Sequence, residues 1–196
     1  RPVLSWHFRM TSYLLAVATL WRREFVRFFR QRNRVLGALG PPLVMWVFVG
    51  SGFGGSFRSP VHGGVSYLEY FYPGMIILVV LFTSIFSALS VIEDRRDGFL
   101  HGILVTPAPR SAIVLGKILG GASQAAVQGC LLLAIAPFLG VPLGVVGALW
   151  VLATLAIVSF SLTAFGFLMA WRTDSSQGYH AVMNLLLMPM WLLSGA

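Results

Sequence analysis

Charges of both signs crowd together at one place in this chain, Glu93 to Lys117, EDRRDGFLHGILVTPAPRSAIVLGK. Carboxylates as close as Glu93, Asp94 and Asp97 are the raw material of acid–base chemistry. Here they stand among Arg95, Arg96 and Arg110, which points to a local salt-bridge network instead. Gly116-Lys117 is the one Gly-Lys step, and a phosphate-binding P-loop built on it needs glycine at 111 and Ser or Thr at 118. Those positions hold Ser111 and Ile118, so the chain does not bind ATP in that way. His7, His62, His101 and His180 are scattered without ligand spacing, and Cys130 is alone. Neither a metal centre nor a disulfide framework is expected. No catalytic constellation emerges.

The elements around that segment explain it. Residues 71–92 carry no charge, and residues 112–137 carry one, Lys117. A polar, Pro- and Gly-punctuated stretch between two membrane-length runs must lie outside the hydrocarbon, where its backbone groups find partners. Its arginines place it on the cytoplasmic side. Composition agrees: 57% of residues are hydrophobic and 10% charged, with a mean hydropathy of +0.82. The net charge of +8 belongs to basic residues flanking apolar runs, which act as topology determinants and not as a nucleic-acid surface.

Residues 12–34 read as an amphipathic helix in the membrane interface. At 100° per residue Leu14, Ala18, Trp21, Phe25, Phe28 and Phe29 form an apolar stripe, with Arg23, Arg27, Arg30 and Arg34 opposite. Arg32 falls on the apolar side and must snorkel or pair.

Membrane spans are expected at 35–53, 71–92, 112–137, 145–171 and 180–196, with 93–111 as a cytoplasmic loop. Pro41-Pro42 should kink the first span or set its first turn. Residues 54–70 form an outer loop, and Tyr67, Tyr70, Phe71 and Tyr72 an aromatic belt. In the third span Lys117, Gly121, Gln124 and Gln128 recur at spacings of four, three and four, on one face. Such a face either snorkels and bonds neighbouring helices or lines a transport route. In the fourth span Ser159, Thr163, Gly166 and Ala170 make a packing face. The expected fold is an all-α polytopic membrane protein: an interface helix, then five of six spans. Arg1 in place of Met and the apolar ending at Ser194-Gly195-Ala196 read as a fragment.

The run Glu93…Arg96-Asp97-Gly98-Phe99-Leu100…Ile103-Leu104-Val105-Thr106-Pro107, then Gly116-Lys117, resembles the signature loop of the ABC-2 type permeases, membrane subunits of bacterial exporters. The likeness extends to the interface helix, to Pro73-Gly74 opening the second span, and to Asn184…Pro189…Ser194-Gly195 entering a re-entrant outer hairpin. His101 and Gly102 depart from the family's usual residues. The resemblance implies a subunit in the bacterial cytoplasmic membrane, paired with a second permease, identical or sister. ATP and magnesium would sit on a separate ATPase, and this chain would bind no cofactor. It further implies that Glu93, Arg95, Arg96, Asp97, Gly98, Leu100, Leu104, Thr106 and Pro107 couple to that ATPase, with Trp21, Arg23, Phe25, Arg27, Arg30 and Arg34 as a second contact. The cargo would be drug-like or a lipid or glycan; the loop is closer to drug-resistance and nodulation-type permeases. A membrane scaffold or an intramembrane enzyme are the alternatives.

Overall fold

The computed structural model describes residues 3–53, 67–106, 108–139 and 144–193. Among them there are seven α-helices and no strand: α1 (Val3–Arg30), α2 (Arg32–Phe53), α3 (Tyr67–Arg96), α4 (Phe99–Leu104), α5 (Arg110–Ile135), α6 (Val145–Arg172) and α7 (Ser176–Leu193). A 3-10 turn, Ala136–Leu139, ends α5. The expected outer loop 54–70 falls largely outside the described residues, as do Pro107 and Ser194-Gly195.

The bundle is built on α3. In its apolar window 83% of residues are buried, against 17% for α2 and 11% for α6. A helix apolar all round belongs inside a larger assembly or a membrane, and α3 takes the inside place. On one side Ile85, Leu89 and Ile92 of α3 pack with Phe167 and Ala170 of α6 and Tyr179 and Met183 of α7. On another, Met75, Val79 and Val80 meet Ala125 and Leu132 of α5 and Leu155 of α6. The packing face expected on the fourth span is seen: Ser159, Thr163, Gly166 and Ala170 are all buried.

Four helices are long and apolar enough to cross a membrane among the described residues: α2, α3, α5 and α6. The fifth expected span, α7, falls short over its described 18 residues. Gln177, His180 and Asn184 dilute its apolar character. Its Tyr179, Met183, Leu187 and Trp191 are nonetheless buried in the bundle.

The interface helix differs from its expected range. It runs from Val3 to Arg30, breaks at Gln31, and Arg34 belongs to the first turn of α2. No Gly or Pro marks that break; around it Gln31 N–H bonds the carbonyls of Arg27 and Phe28, and Gln31 O accepts from Arg34 N–H at 2.9 Å. The turn folds Arg34 back onto Glu93. Pro41-Pro42 neither begin α2 nor end it; the helix starts at Arg32 and runs through both. The aromatic belt is partly internal: Tyr70 is exposed, but Phe71 and Tyr72 are buried. Phe71 packs edge-on against Trp191, and Tyr72 Oη donates to Leu132 O at 2.6 Å.

Candidate functional site

Charged residues of four helices converge at one end of the bundle. Glu93, Asp94, Arg95 and Arg96 are not loop residues: they form the last turn of α3. Asp94 is fully buried. Its carboxylate accepts from Arg23 Nη1 and Nη2 at 3.0 Å each, from Arg27 Nη1 at 2.6 Å and from Lys117 Nζ at 2.6 Å. Lys117 also reaches Glu24 Oε1 at 3.0 Å, and Arg23 meets the same oxygen at 2.8 Å. Glu93 pairs with Arg27 at 2.9 Å and with Arg34. Burial pulls the Arg23 guanidinium down, but the bonds and charges of Asp94 and Glu24 outweigh it and leave Arg23 above its ordinary value. Four cations thus share three carboxylates from α1, α2, α3 and α5. A buried charge is tolerable only when paired in this way.

The salt-bridge network expected within the segment is therefore real but not local. Arg95 and Arg96 turn away from Glu93 and toward the end of α6. Arg95 donates to Trp171 O at 2.6 Å and Thr173 O at 3.3 Å, a cation on the last carbonyls of a helix. Arg96 reaches Asp174 O at 3.4 Å.

Close backbone approach makes the network geometrically feasible. Gly116 and Gly120 of α5 face α1, and a Cβ on Gly120 would lie 2.6 Å from Glu24 Cβ. Small residues four apart let helices touch. The same α5 face then bonds onward: Gln124 Nε2 donates to the Glu24 backbone carbonyl at 2.9 Å, and Gln128 Oε1 accepts from Thr83. Lys117, Gln124 and Gln128, candidates from sequence for a transport route, are almost fully buried and bonded to neighbouring helices, with Gln124 Oε1 and Gln128 Nε2 unpaired among the described residues.

The two faces assigned to α1 also divide differently. Phe28 is 1% exposed and faces protein, and Trp21 Nε1 donates to Ser123 Oγ of α5 at 2.8 Å. Arg23 and Arg27 point into the network, whereas Arg30 is exposed. Among its described side chains the large exposed apolar ones are Leu14, Leu15, Trp21, Val26 and Phe29; Phe25 is half-buried.

Below the network hangs α4. Gly98, at φ 74°, reverses the chain between α3 and α4, a conformation that costs an L-residue roughly 1–2 kcal/mol. Leu100 is buried with Leu20 and Ile113, and the Arg23 guanidinium sits 3.6 Å over the Phe99 ring. Outward, Asp97, His101, Thr106 and Leu104 are exposed, and Val105 is 85% exposed.

Residues 16–196 match the family model described as ABC-2 type transporter. The chain belongs to that family. It is 27% identical over 192 residues to the inner membrane transport permease YadH of Escherichia coli K12, covering 95% of this chain and 72% of that one. It is 26% identical over 182 residues to nodulation protein J of Rhizobium leguminosarum bv. trifolii, covering 90% and 68%. The putative transport permease ycf38 of Cyanophora paradoxa is 25% identical over 186 residues, 94% and 64%. This ABC-2 chain is accordingly a multi-pass inner-membrane transport permease.

Two residues central to the permease's charged end were missing from the sequence-derived set. Asp94 was noted only as one of a cluster, and Glu24 not at all. Glu24 had a signal: it is the only acid before Glu69, and it falls on the α1 arc of Leu20 and Phe28, both buried.

Proposed function

We propose that this chain is the membrane subunit of an exporter that moves a drug-like, lipid or glycan substrate outward across the cytoplasmic membrane. A separate ATPase chain, carrying ATP and magnesium, supplies the energy, and a second permease completes the route. The carrying observation is α4: a short helix anchored inward by Leu100 and presenting Leu104 and Val105 to the outside. Exposed aliphatics beside polar His101 and Thr106 fit a soluble partner's cleft.

On this reading, force applied to α4 passes to α1 through Leu20, Phe99 and Arg23, and from there to α3 and α5 through Asp94. Packed helices with discrete pairings shift between arrangements and do not deform smoothly. Glu93, Arg95, Arg96 and Asp97 set the pose of α4, while Gly98, Leu100, Leu104, Thr106 and Pro107 belong to the docking segment. Lys117 and Gln124 hold α1 on the bundle, Gln128 joins α5 to α3, and the substrate route runs elsewhere.

The test is Leu104→Asp with Val105→Asp in the full permease. Both side chains are exposed, so the membrane fold should survive. We expect the ATPase to stop co-purifying and substrate to stop stimulating hydrolysis in reconstituted vesicles. Unchanged export and hydrolysis would remove α4 from the coupling path.

A further inference from the structure

Once the network has claimed Arg23 and Arg27, the arginines from Arg22 to Arg30 on α1 fall into two populations. Arg22 and Arg30 make no ion pair among the described residues and are exposed. With Val26 they are spaced four apart, so they share one side of the helix. Together with Arg23 and Arg27 they line a shallow cleft of about 630 Å³. No acid offsets them: Glu24 is the sole carboxylate before Glu69, and it is buried against Lys117.

A separate groove of about 570 Å³ lies between α1, α5 and α6. It is almost wholly apolar, walled by Ala18, Trp21, Ala122, Ala126, Ala156 and Phe160. Ala18, on the groove wall, lies one turn before Arg22 on α1, which brings Arg22 to the groove's edge. The indole of Trp21, held by Ser123, stands on the groove wall, as tryptophans do at the level of lipid headgroups.

We propose that α1 holds an acidic glycerophospholipid, its phosphate on Arg22, with Arg30 next along the helix, and one acyl chain in the alanine-walled groove. The chemistry selects this occupant. Unpaired guanidiniums take phosphate oxygens bidentately, and an interfacial helix with an exposed apolar side lies where such headgroups are. A soluble protein partner would meet the arginines but leave the groove and the exposed Leu14, Leu15 and Phe29 uncovered. This inference rests on membrane insertion and not on export, so it stands or falls separately from the coupling role of α4.

The experiment uses the protein purified in mild detergent, stripped of lipid, and offered phosphatidylglycerol or phosphatidylcholine with identical chains. Bound lipid is counted by native mass spectrometry. We expect phosphatidylglycerol to be retained over phosphatidylcholine by a factor on the order of ten, and Arg22→Gln with Arg30→Gln to bring that ratio close to one. Melting in plain detergent should not change, since neither arginine has an internal ion pair. Ala126→Phe, which fills the groove, should reduce retention of both lipids. Equal retention by the unmodified protein, or a preference that survives the double arginine change, overturns the site. So does a double variant that sheds the ATPase while keeping its lipid preference, because the arginines would then belong to a protein contact. If Ala126→Phe splits a dimer and leaves lipid retention unchanged, the groove belongs to a second copy and the acyl assignment fails.

Discussion

Lys117 on α5 and Asp94 on α3 lie 2.6 Å apart with almost no solvent contact. That pair joins two helices of the bundle, and through Arg23 and Glu24 it holds α1 to both. Breaking one side of a buried ionic cluster costs about 3–5 kcal/mol because the remaining charges lose their compensation. Asp94→Asn should therefore be the most damaging single change at this end of the molecule. Lys117→Met should cost less in the Asp94→Asn background than alone, since its best partner is already gone. A double-mutant cycle on melting in detergent measures this, and strictly additive losses would mean the two residues act separately.

The approach of α1 to α5 depends on the absence of a side chain at Gly120. A Cβ there meets Glu24 Cβ at 2.6 Å, whereas one at Gly102 meets nothing within 4 Å. Gly120→Val should lift α1, weaken the Gln124 bond to the Glu24 carbonyl, and speed amide exchange along Trp21–Arg30. Gly102→Ala should do none of this and should firm α4 by up to about 1 kcal/mol. Unaltered exchange in the valine variant would contradict the packing described.

How much of this was legible in the sequence follows from what kind of signal each feature leaves. The spans and the small-residue face at Ser159, Thr163, Gly166 and Ala170 are read from hydropathy and period, which are local properties. The helix break at Gln31 is not, because the ion pair from Arg34 to Glu93 lies far away in sequence. For the same reason Arg95 was grouped with its carboxylate neighbours, although it caps α6 through Trp171 O. Periodicity put Arg23, Arg27, Arg30 and Arg34 on one face of a single helix, but Arg34 lies on α2. Nor could periodicity say that Asp94 would neutralise two of them and leave Arg30 exposed. Lys117, Gln124 and Gln128 were rightly grouped on one face of α5, but a face says nothing about what stands opposite it.

At the other end of the bundle, Tyr72 ties α3 to α5 by a single bond, Oη to Leu132 O at 2.6 Å. Tyr72 is 2% exposed, so removing its hydroxyl leaves no room for water to substitute. Tyr72→Phe should lower stability by about 0.5–1.5 kcal/mol. It should leave association with the proposed ATPase untouched, since α4 lies at the opposite end of α3. Melting in detergent and co-purification read the two effects separately; loss of association at unchanged stability would contradict this placement.

Gly98 separates the proposed role of α4 from mere folding. Its φ of 74° is the one left-handed backbone among the described residues, and nothing lies within 4 Å of where a Cβ would be. Steric clash is therefore absent, and only backbone conformation is tested. Asparagine tolerates that region better than alanine, and proline is barred from it by its ring. Proline also removes the N–H that Gly98 gives to Arg95 O at 3.3 Å. Substrate-stimulated ATPase activity in reconstituted vesicles should therefore fall in the order Gly, Asn, Ala, Pro, with membrane insertion and melting nearly constant. A flat series, with the proline variant transporting normally, would mean that the pose of α4 does not matter to the proposed coupling. A series in which melting falls in step with activity would mean that Gly98 serves the fold alone.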